Sequence, residues 1–575
     1  MVGSLRSAGP LRSAHEDGRL CAQARSGVTR SRSRPARPST SDRRPTFERF
    51  LTSRFRWVTG GLVALHVALC VALFDPKIHT GGDSVTYVLL AESVLEAGDG
   101  YSLSLEPGPP EAHTKYPPGF PILLAPLVAA FGRNFVVLKL LSMAFTAGAV
   151  LVFCVYARRG RDPVPWLCLA LAFAVSPGVI DYSRWMLSEA PFLFFTLAAL
   201  WLLREDEETD GIGATFWLAL AASIAGFYMR SIGALLLAGA SLSYLLRREW
   251  RKFVVHGVVG AGLTIPWLVR NQLVTGSTTP YLEEFLLENV YAPEAGQLDF
   301  AGMVGRFFTN GWLYATRELP RTLVGSDSGW SDNLLVVSIA VAVCLMALVG
   351  LVRGLRGRPN AAGLYLILTC AAIMLFQTSV NDVRYLVPLI PLVLVNGADG
   401  ARALGKRVAR LGGRGAGLTA RARHLPAFAM GLLAALALGA HAARIPGNLE
   451  MIAGYNAGDR YAGYASAWRN FFEAARWIEE NTPRDAVVTV RKPRLFNAVA
   501  DRRVRLYPYS TNADSVLGVV HETDLVLIDA LFPTTQMYLL PALQQQPDDF
   551  FVAHQTDPPV TWVLGVTDAA RLPNR

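Results

Sequence analysis

Long apolar blocks, separated by short loops rich in arginine, limit what this chain can fold into more than any other feature. A helix needs about 20 mostly apolar residues to cross the hydrocarbon core of a bilayer. Of the 575 residues, 52% are hydrophobic and 17% are charged, and the apolar residues come in blocks of that length. We therefore predict an all-α polytopic membrane protein with about eleven transmembrane helices. The predicted spans are 57–75, 134–157, 163–180, 190–203, 212–229, 231–246, 253–270, 333–352, 361–378, 384–400 and 425–443.

Arginine and lysine predict the orientation, because short basic loops remain in the cytoplasm. The first 56 residues contain thirteen arginines and no lysine, and alternate loops further along the chain are also basic. We therefore expect a cytoplasmic N-terminus in the inner membrane and, after an odd number of spans, an extracytoplasmic C-terminus. The expected outer segments include the loops 76–133 and 271–332.

Three parts of the chain differ in composition. Residues 1–56 are basic and lack apolar periodicity, which predicts a disordered cytoplasmic segment. Residues 57–443 contain the predicted spans. Residues 444–575 combine a helical pattern near 468–478 with strand-like runs at 486–490, 525–528 and 560–566, which predicts a small extracytoplasmic α/β domain. This domain contains no phosphate-binding glycine loop, so we assign it no chemistry.

The net charge of +10 does not indicate a nucleic-acid partner, since the arginine excess lies in the N-terminal segment and the cytoplasmic loops. The partner of those residues is the lipid bilayer. None of the six cysteines falls in an expected outer segment, so no disulfide framework is predicted. The sequence lacks the usual metal-binding spacings, and His79 and His113, which flank Asp83, fit ordinary loop histidines better than ligands.

The first outer loop carries the main candidate residues. Asp83 follows the first span, and from Tyr87 onward apolar residues recur at helical spacing, which predicts a short amphipathic helix at the membrane interface. Asp83 could cap this helix, or it could act as a base at the water boundary.

A proline-rich run, KYPPGFP at residues 115–121, lies further along the same loop. Its three prolines remove backbone donors and predict a rigid elbow leading into a short apolar stretch at 122–131. Lys115 either extends to the headgroups or holds a phosphate as a point charge.

Six features in this order resemble the GT-C superfamily of glycosyltransferases that depend on polyprenyl-phosphate sugars. Within it they are similar to the bacterial branch that includes the aminoarabinose transferases, relatives of the protein O-mannosyltransferases. The resemblance covers about residues 57–510. The features are Asp83, Tyr87, 115–121 (KYPPGFP), 186–192 (MLSEAPF), 266–271 (PWLVRN) and 382–389 (DVRYLVPL).

The resemblance implies a GT-C fold and an inverting transfer at the outer face of the membrane. Sugar would move from a polyprenyl monophosphate to a hydroxyl of a lipid, glycan or protein, with Asp83 as the general base. The family often has a second acid directly after this aspartate, whereas this chain has Ser84. That difference favours a reaction without a metal or other cofactor, although it leaves a divalent cation possible in principle.

Cations at the outer ends of spans are the candidates for binding the donor phosphate, because a phosphate leaving group needs its charge held more than it needs a proton. These candidates are Lys115, Arg230, Arg270 and Arg384. Each could instead anchor a helix at the headgroups, and Asn381 or Asp382 could pair with Arg384. Tyr87, Tyr116 and Glu189 are candidates for positioning the substrates, with helix-dipole compensation as the alternative for Glu189.

Two other functions fit parts of this pattern. A transporter or flippase of a lipid-linked saccharide would also combine an outer acid, basic residues and many spans. Transporters usually carry paired half-helices or ionisable groups at mid-membrane, whereas this sequence shows no internal repeat and almost no charge in the centres of its spans. A polysaccharide polymerase or ligase using polyprenyl diphosphates is the third reading, and Asp83 with the 115–121 elbow favours a monophosphate donor over it.

Overall fold

The computed structural model describes residues 46–96, 100–276, 284–325, 334–380, 383–411 and 416–569. Most of the predicted N-terminal segment, parts of the second outer loop, and Asn381 and Asp382 lie outside the described residues. By contacts the chain separates into Met1–Arg49 and Phe50–Arg575, and the fold described below is that of the second unit.

Helices occupy most of the described chain. In chain order they are α1 Thr46–Ser53, α2 Phe55–Ala72, α3 Asp83–Leu95, α4 Gly119–Phe131, α5 Phe135–Arg158, α6 Pro163–Ala174, α7 Pro177–Ser183, α8 Glu189–Asp206, α9 Ala214–Met229, α10 Ala234–Leu246, α11 Trp250–Thr275, α12 Phe300–Leu313, α13 Leu319–Val324, α14 Leu334–Gly357, α15 Ala361–Leu375, α16 Ile390–Leu411, α17 Ala416–Asn456, α18 Ser466–Asn481, α19 Pro493–Ala500, α20 Ala513–Val520 and α21 Leu540–Leu543.

Six helices of the described residues are long and apolar enough to cross a membrane, and a seventh span results if the bent pair α6 and α7 is counted as one. Four further predicted spans coincide with α8 and with the shorter apolar helices α9, α10 and α15. Every predicted span thus coincides with a helix or, for 163–180, with the bent pair α6 and α7, and the total of eleven stays a prediction.

The C-terminal part contains a five-stranded sheet within residues 466–566, which we call the C-terminal sheet region. Its strands are β3 Val487–Thr489, β4 Arg503–Arg505, β5 Leu525–Ile528, β6 Phe550–Gln555 and β7 Trp562–Val566, after a small hairpin of β1 Ser102–Leu103 and β2 Glu111–Ala112 in the first outer loop. The sheet order is β4-β3-β5-β7-β6. The first three strands are parallel, and β7 is antiparallel to both β5 and β6.

Helix α3 lies between the helical bundle and the C-terminal sheet region. Tyr87, Val88 and Leu90 belong to the large core of the bundle. Val85 belongs instead to the core around Phe471 of α18. The helix is therefore buried on two faces rather than lying at a free interface, because residues 466–566 supply an apolar partner for its outer side.

Residues 76–133, the predicted first outer loop, are also fixed by hydrogen bonds to their backbone. The Val504 N–H of edge strand β4 donates to the Leu105 carbonyl oxygen at 2.9 Å. The Tyr464 hydroxyl donates to the Ile78 carbonyl oxygen at 2.6 Å. These bonds hold the segment that contains Asp83 against the C-terminal part of the chain.

Helices α14 and α16 pack closely because glycine on each faces the backbone of the other. A Cβ atom at Gly350 would overlap the carbonyl oxygen of Asn396, and one at Gly400 would overlap the carbonyl oxygen of Met346. Small residues at such crossings allow helix backbones to approach each other in membranes.

We predict that Gly400→Ala lowers the melting temperature of the purified protein, since overpacking at such a site costs about 1–3 kcal/mol. Gly397→Ala on the same helix is the matched control, because a Cβ there meets no atom within 4 Å. The control should melt like wild type or slightly higher. Equal melting temperatures for the two variants, measured in one detergent, would contradict this packing.

Candidate functional site

Asp83 lies at the first position of α3, where the chain turns sharply into the helix. Gly82 precedes it with φ +88°, a left-handed conformation that favours glycine. The Asp83 carboxylate bonds to residues distant in sequence: Tyr116 OH donates to Oδ1 at 2.9 Å and Arg384 Nη1 donates to Oδ2 at 2.9 Å. The turn therefore points the carboxylate toward the bundle, and its described bonds are to side chains rather than to the helix it begins.

The environment keeps Asp83 ionised. Burial by itself would raise the pKa of the carboxyl group, but the Arg384 charge and the Tyr116 hydrogen bond outweigh it and lower the pKa to about 2. The side chain still keeps 22% of its surface exposed. Asp83 is thus a carboxylate at neutral pH and remains within reach of a substrate.

Glu189 forms the second half of the same network. It is the first residue of α8 and is fully buried. Its Oε1 accepts a hydrogen bond from Arg384 Nε at 2.8 Å and forms an ion pair with Arg230 Nη1 at 2.5 Å. Two guanidinium groups therefore face two carboxylates, the arrangement in which buried charges are tolerated.

Two aromatic residues connect this network to the proline-rich elbow. The rings of Tyr87 and Tyr116 lie 5.0 Å apart, and both residues are buried. Tyr87 OH shares a hydrogen bond of 2.8 Å with Ser188 Oγ, directly before Glu189. A Cβ at Gly119 would meet the carbonyl oxygen of Tyr228, so the elbow packs tightly on the end of α9. The structure thus brings Asp83, Tyr87, Tyr116, Glu189, Arg230 and Arg384 together.

Lys115 and Arg270 bind other parts of the chain. Lys115 Nζ donates to Glu284 Oε1 at 2.8 Å. Arg270 donates to the carbonyl oxygens of His113 at 2.6 Å and Gly100 at 2.9 Å, so it attaches α11 to the first outer loop. Their assignment to the donor phosphate stays a prediction.

The two loop histidines are neutral. Burial lowers the pKa of His79 to about 4 and that of His113 to about 3, so neither carries a charge at neutral pH. Within the described part of the chain, no group of three or more His, Cys, Asp or Glu side chains is placed to hold a metal ion.

The sequence reasoning missed the cations that the C-terminal sheet region brings to this site. Lys492 Nζ donates to the Gly81 carbonyl oxygen at 3.3 Å. Arg494 Nη1 donates to Thr86 Oγ1 at 3.4 Å, and the Arg494 charge contributes to the lowered pKa of Asp83. The available signal was the run RKPR at residues 491–494, three cations directly after a buried strand.

Comparisons with known proteins agree with this architecture. Residues 114–379 match the model of Glycosyltransferase family 87, a GT-C family. The fold is similar to that of ArnT from Cupriavidus metallidurans in the apo state, with a TM-score of 0.56 and 13% identity over 91% of this chain and 100% of that chain. No curated protein matches the sequence.

Two ligand-bound structures also have similar folds. ArnT from Cupriavidus metallidurans bound to undecaprenyl phosphate gives a TM-score of 0.53 at 13% identity, over 89% of this chain and 98% of that chain. The archaeal oligosaccharyltransferase AglB from Archaeoglobus fulgidus, in complex with an inhibitory peptide and a dolichol-phosphate, gives 0.53 at 12% identity, over 91% and 75%. The resemblance to the GT-C superfamily is therefore confirmed. The family match and the fold together support a membrane glycosyltransferase.

We predict that Glu189→Gln strongly destabilises the protein, because it leaves the Arg230 guanidinium without its buried carboxylate. Breaking a buried pair in this way costs about 3–5 kcal/mol. Thermal unfolding of the purified protein in detergent measures the effect.

The matched control is Glu92→Gln, which breaks the more exposed pair with Arg133. Exposed pairs contribute about 0–1 kcal/mol, so this variant should melt close to wild type. Similar losses of melting temperature in the two variants would show that the buried network contributes no more to stability than the exposed pair.

Proposed function

We propose that this protein transfers a sugar from a polyprenyl monophosphate to a hydroxyl group of a lipid, glycan or protein acceptor at the outer face of the inner membrane. In this proposal the N-terminal segment is cytoplasmic, the bundle of about eleven spans holds the donor, and the C-terminal part is an extracytoplasmic α/β domain. The observation that carries the proposal is the Asp83 carboxylate at the start of α3, which accepts hydrogen bonds from Tyr116 and Arg384.

Asp83 supplies the base. The acceptor hydroxyl gives its proton to the Asp83 carboxylate as its oxygen forms a bond to the anomeric carbon. The bond from that carbon to the phosphate oxygen breaks, and its electron pair leaves with the polyprenyl phosphate. Attack opposite to the leaving phosphate inverts the anomeric centre. General base catalysis of this kind contributes about 10²- to 10⁴-fold to a rate.

Cations around Asp83 stabilise the charge that develops on the phosphate. Arg384 and Arg230 already lie in the network, and a guanidinium group presents several N–H donors in a fixed plane that suits phosphate oxygens. Lys115 and Arg270, on the same side of the site, are proposed to guide the donor headgroup. In this proposal Tyr87, Tyr116 and Glu189 hold these groups in position.

The donor set around Asp83 supports a reaction independent of metal. Both carboxylate oxygens accept hydrogen bonds from protein side chains, and Ser84 stands where a second acid would share a cation. Hard divalent cations prefer several carboxylate or carbonyl oxygens in one place. Arginine side chains take the corresponding charge-stabilising role here.

We predict that Asp83→Asn abolishes transfer while the protein still folds. Asparagine keeps the size of the side chain and can accept the Tyr116 hydrogen bond, and Arg384 keeps Glu189 as its partner. The loss should be about 10²-fold or more, because an amide cannot act as the base. Mass spectrometry of lipid carriers and surface glycans in a deletion strain, complemented with each variant, measures the transfer.

Glu111→Gln is the matched control, since Glu111 is an exposed acid on the same outer loop. Cells with the control should lose the accumulated carrier-linked sugar, whereas cells with Asp83→Asn should retain it and lack the decoration. Normal decoration by Asp83→Asn at equal protein level would exclude Asp83 as the base.

A further inference from the structure

A basic segment of the C-terminal sheet region lies beside Asp83. Residues 491–494 (RKPR) follow strand β3 and include the first two residues of helix α19. Lys492 contacts Gly81, just before α3, and Arg494 contacts Thr86 within α3, so the segment touches the chain on both sides of Asp83. A segment remote in sequence is therefore part of the wall of the proposed reaction site.

Arg491 anchors the segment. Its Nε donates to Thr534 Oγ1 at 2.8 Å, and its guanidinium lies 4.9 Å from the ring centroid of Tyr509 and 5.2 Å from that of Phe532. Stacking on aromatic rings and a side-chain hydrogen bond fix this arginine within its own region. The two cations that follow it are thereby held toward α3.

Among the described residues, neither Lys492 nor Arg494 forms an ion pair with a carboxylate. Arg469, for comparison, pairs with Asp459 at 2.7 Å. Lys492 and Arg494 each make one long hydrogen bond to an uncharged oxygen, which leaves most of their N–H donors without a described protein partner.

The charge balance of the site points to an anion. Asp83 and Glu189 are already paired with Arg384 and Arg230, so Lys492 and Arg494 add positive charge that the described protein does not neutralise. Burial, followed by the neighbouring Arg491 charge, lowers the pKa of Lys492 more than the carboxylates of Asp83 and Asp529 raise it. Two cations beside a reactive carboxylate match the charge of a phosphate ester.

We propose that Lys492 and Arg494 form a phosphate-binding site that the C-terminal sheet region contributes to the reaction centre. The inference rests on the proposed function, since it places a phosphate-bearing lipid next to Asp83. The same chemistry fits the phosphate of the polyprenyl donor and a phosphate on a glycolipid acceptor. Either phosphate would bind to Lys492 and Arg494 of the C-terminal sheet region while the rest of the lipid contacts the helical bundle near Asp83.

The test is lipid binding by the full-length protein in phosphatidylcholine nanodiscs. The probes are undecaprenyl phosphate, with neutral undecaprenol as reference, and lipid A, with its dephosphorylated form as reference. We expect the double variant Lys492→Gln with Arg494→Gln to bind at least one phosphorylated probe about tenfold or more weakly, because hydrogen bonds between charged groups are lost. Its affinity for the neutral references should stay unchanged.

Two further variants separate charge from folding. Arg503→Gln removes an exposed cation of the same sheet and should bind like wild type. The charge-conserving double variant Lys492→Arg with Arg494→Lys should recover most of the affinity. Melting temperatures of all variants identify any that are misfolded. If the glutamine double variant is misfolded, the affinity of the charge-conserving variant shows whether the charges at 492 and 494 bind the phosphate.

Weaker binding of undecaprenyl phosphate alone assigns the site to the donor, and weaker binding of lipid A alone assigns it to an acceptor phosphate. Unchanged binding of both probes by the glutamine double variant overturns the proposal. Transfer by Asp83→Asn would overturn the base assignment but leave this binding result intact, so the two failures can be distinguished. Wild-type protein that binds neither phosphorylated probe would overturn the proposed function itself.

Discussion

Arg384 connects two carboxylates that come from distant parts of the chain, and the geometry of the candidate site depends on this contact. Asp83 lies 301 residues before Arg384, and Glu189 lies 195 residues before it. One guanidinium group therefore joins the start of the first outer-loop helix, the start of α8 and the beginning of the span that leads into α16. A planar group with five donors can bind two carboxylates at once, which a lysine ammonium could not do with the same fixed geometry.

The contact with Arg384 also explains how the Asp83 carboxylate can be buried and still be ionised. Burial opposes the ionisation of Asp83, and the positive charge of Arg384 together with the Tyr116 hydrogen bond overcomes it. With its pKa lowered in this way, the Asp83 carboxylate is a weak base as long as Arg384 stays bound to it. A phosphate arriving beside Arg384 would compete for that guanidinium and so raise the basicity of Asp83 when the substrate is present. The C-terminal cations would help to hold such a phosphate close to the carboxylate.

The sequence predicts the elements of this protein better than their contacts. The predicted spans coincide with helices because long apolar stretches can be recognised from the sequence alone. Strand β4 was not predicted because two of its three residues are arginines, and β6 was missed although its run of phenylalanine and valine favours a strand. Asp83, Glu189 and Arg384 were recognised singly, but no local pattern encodes a contact across hundreds of residues. Lys492 and Arg494 were missed because surface domains commonly carry such charges, and only the folded chain places them beside α3.

The measurement that tests the central claim most directly is a cryo-electron microscopy structure of the protein with an unreactive polyprenyl-phosphate sugar analogue. The account predicts the anomeric carbon close to Asp83, so that an acceptor oxygen between them would lie about 3 Å from the carboxylate. It also predicts the phosphate in contact with arginine or lysine side chains of this site. A sugar bound at the other end of the bundle, with Asp83 and Arg384 remote from the phosphate, would contradict it.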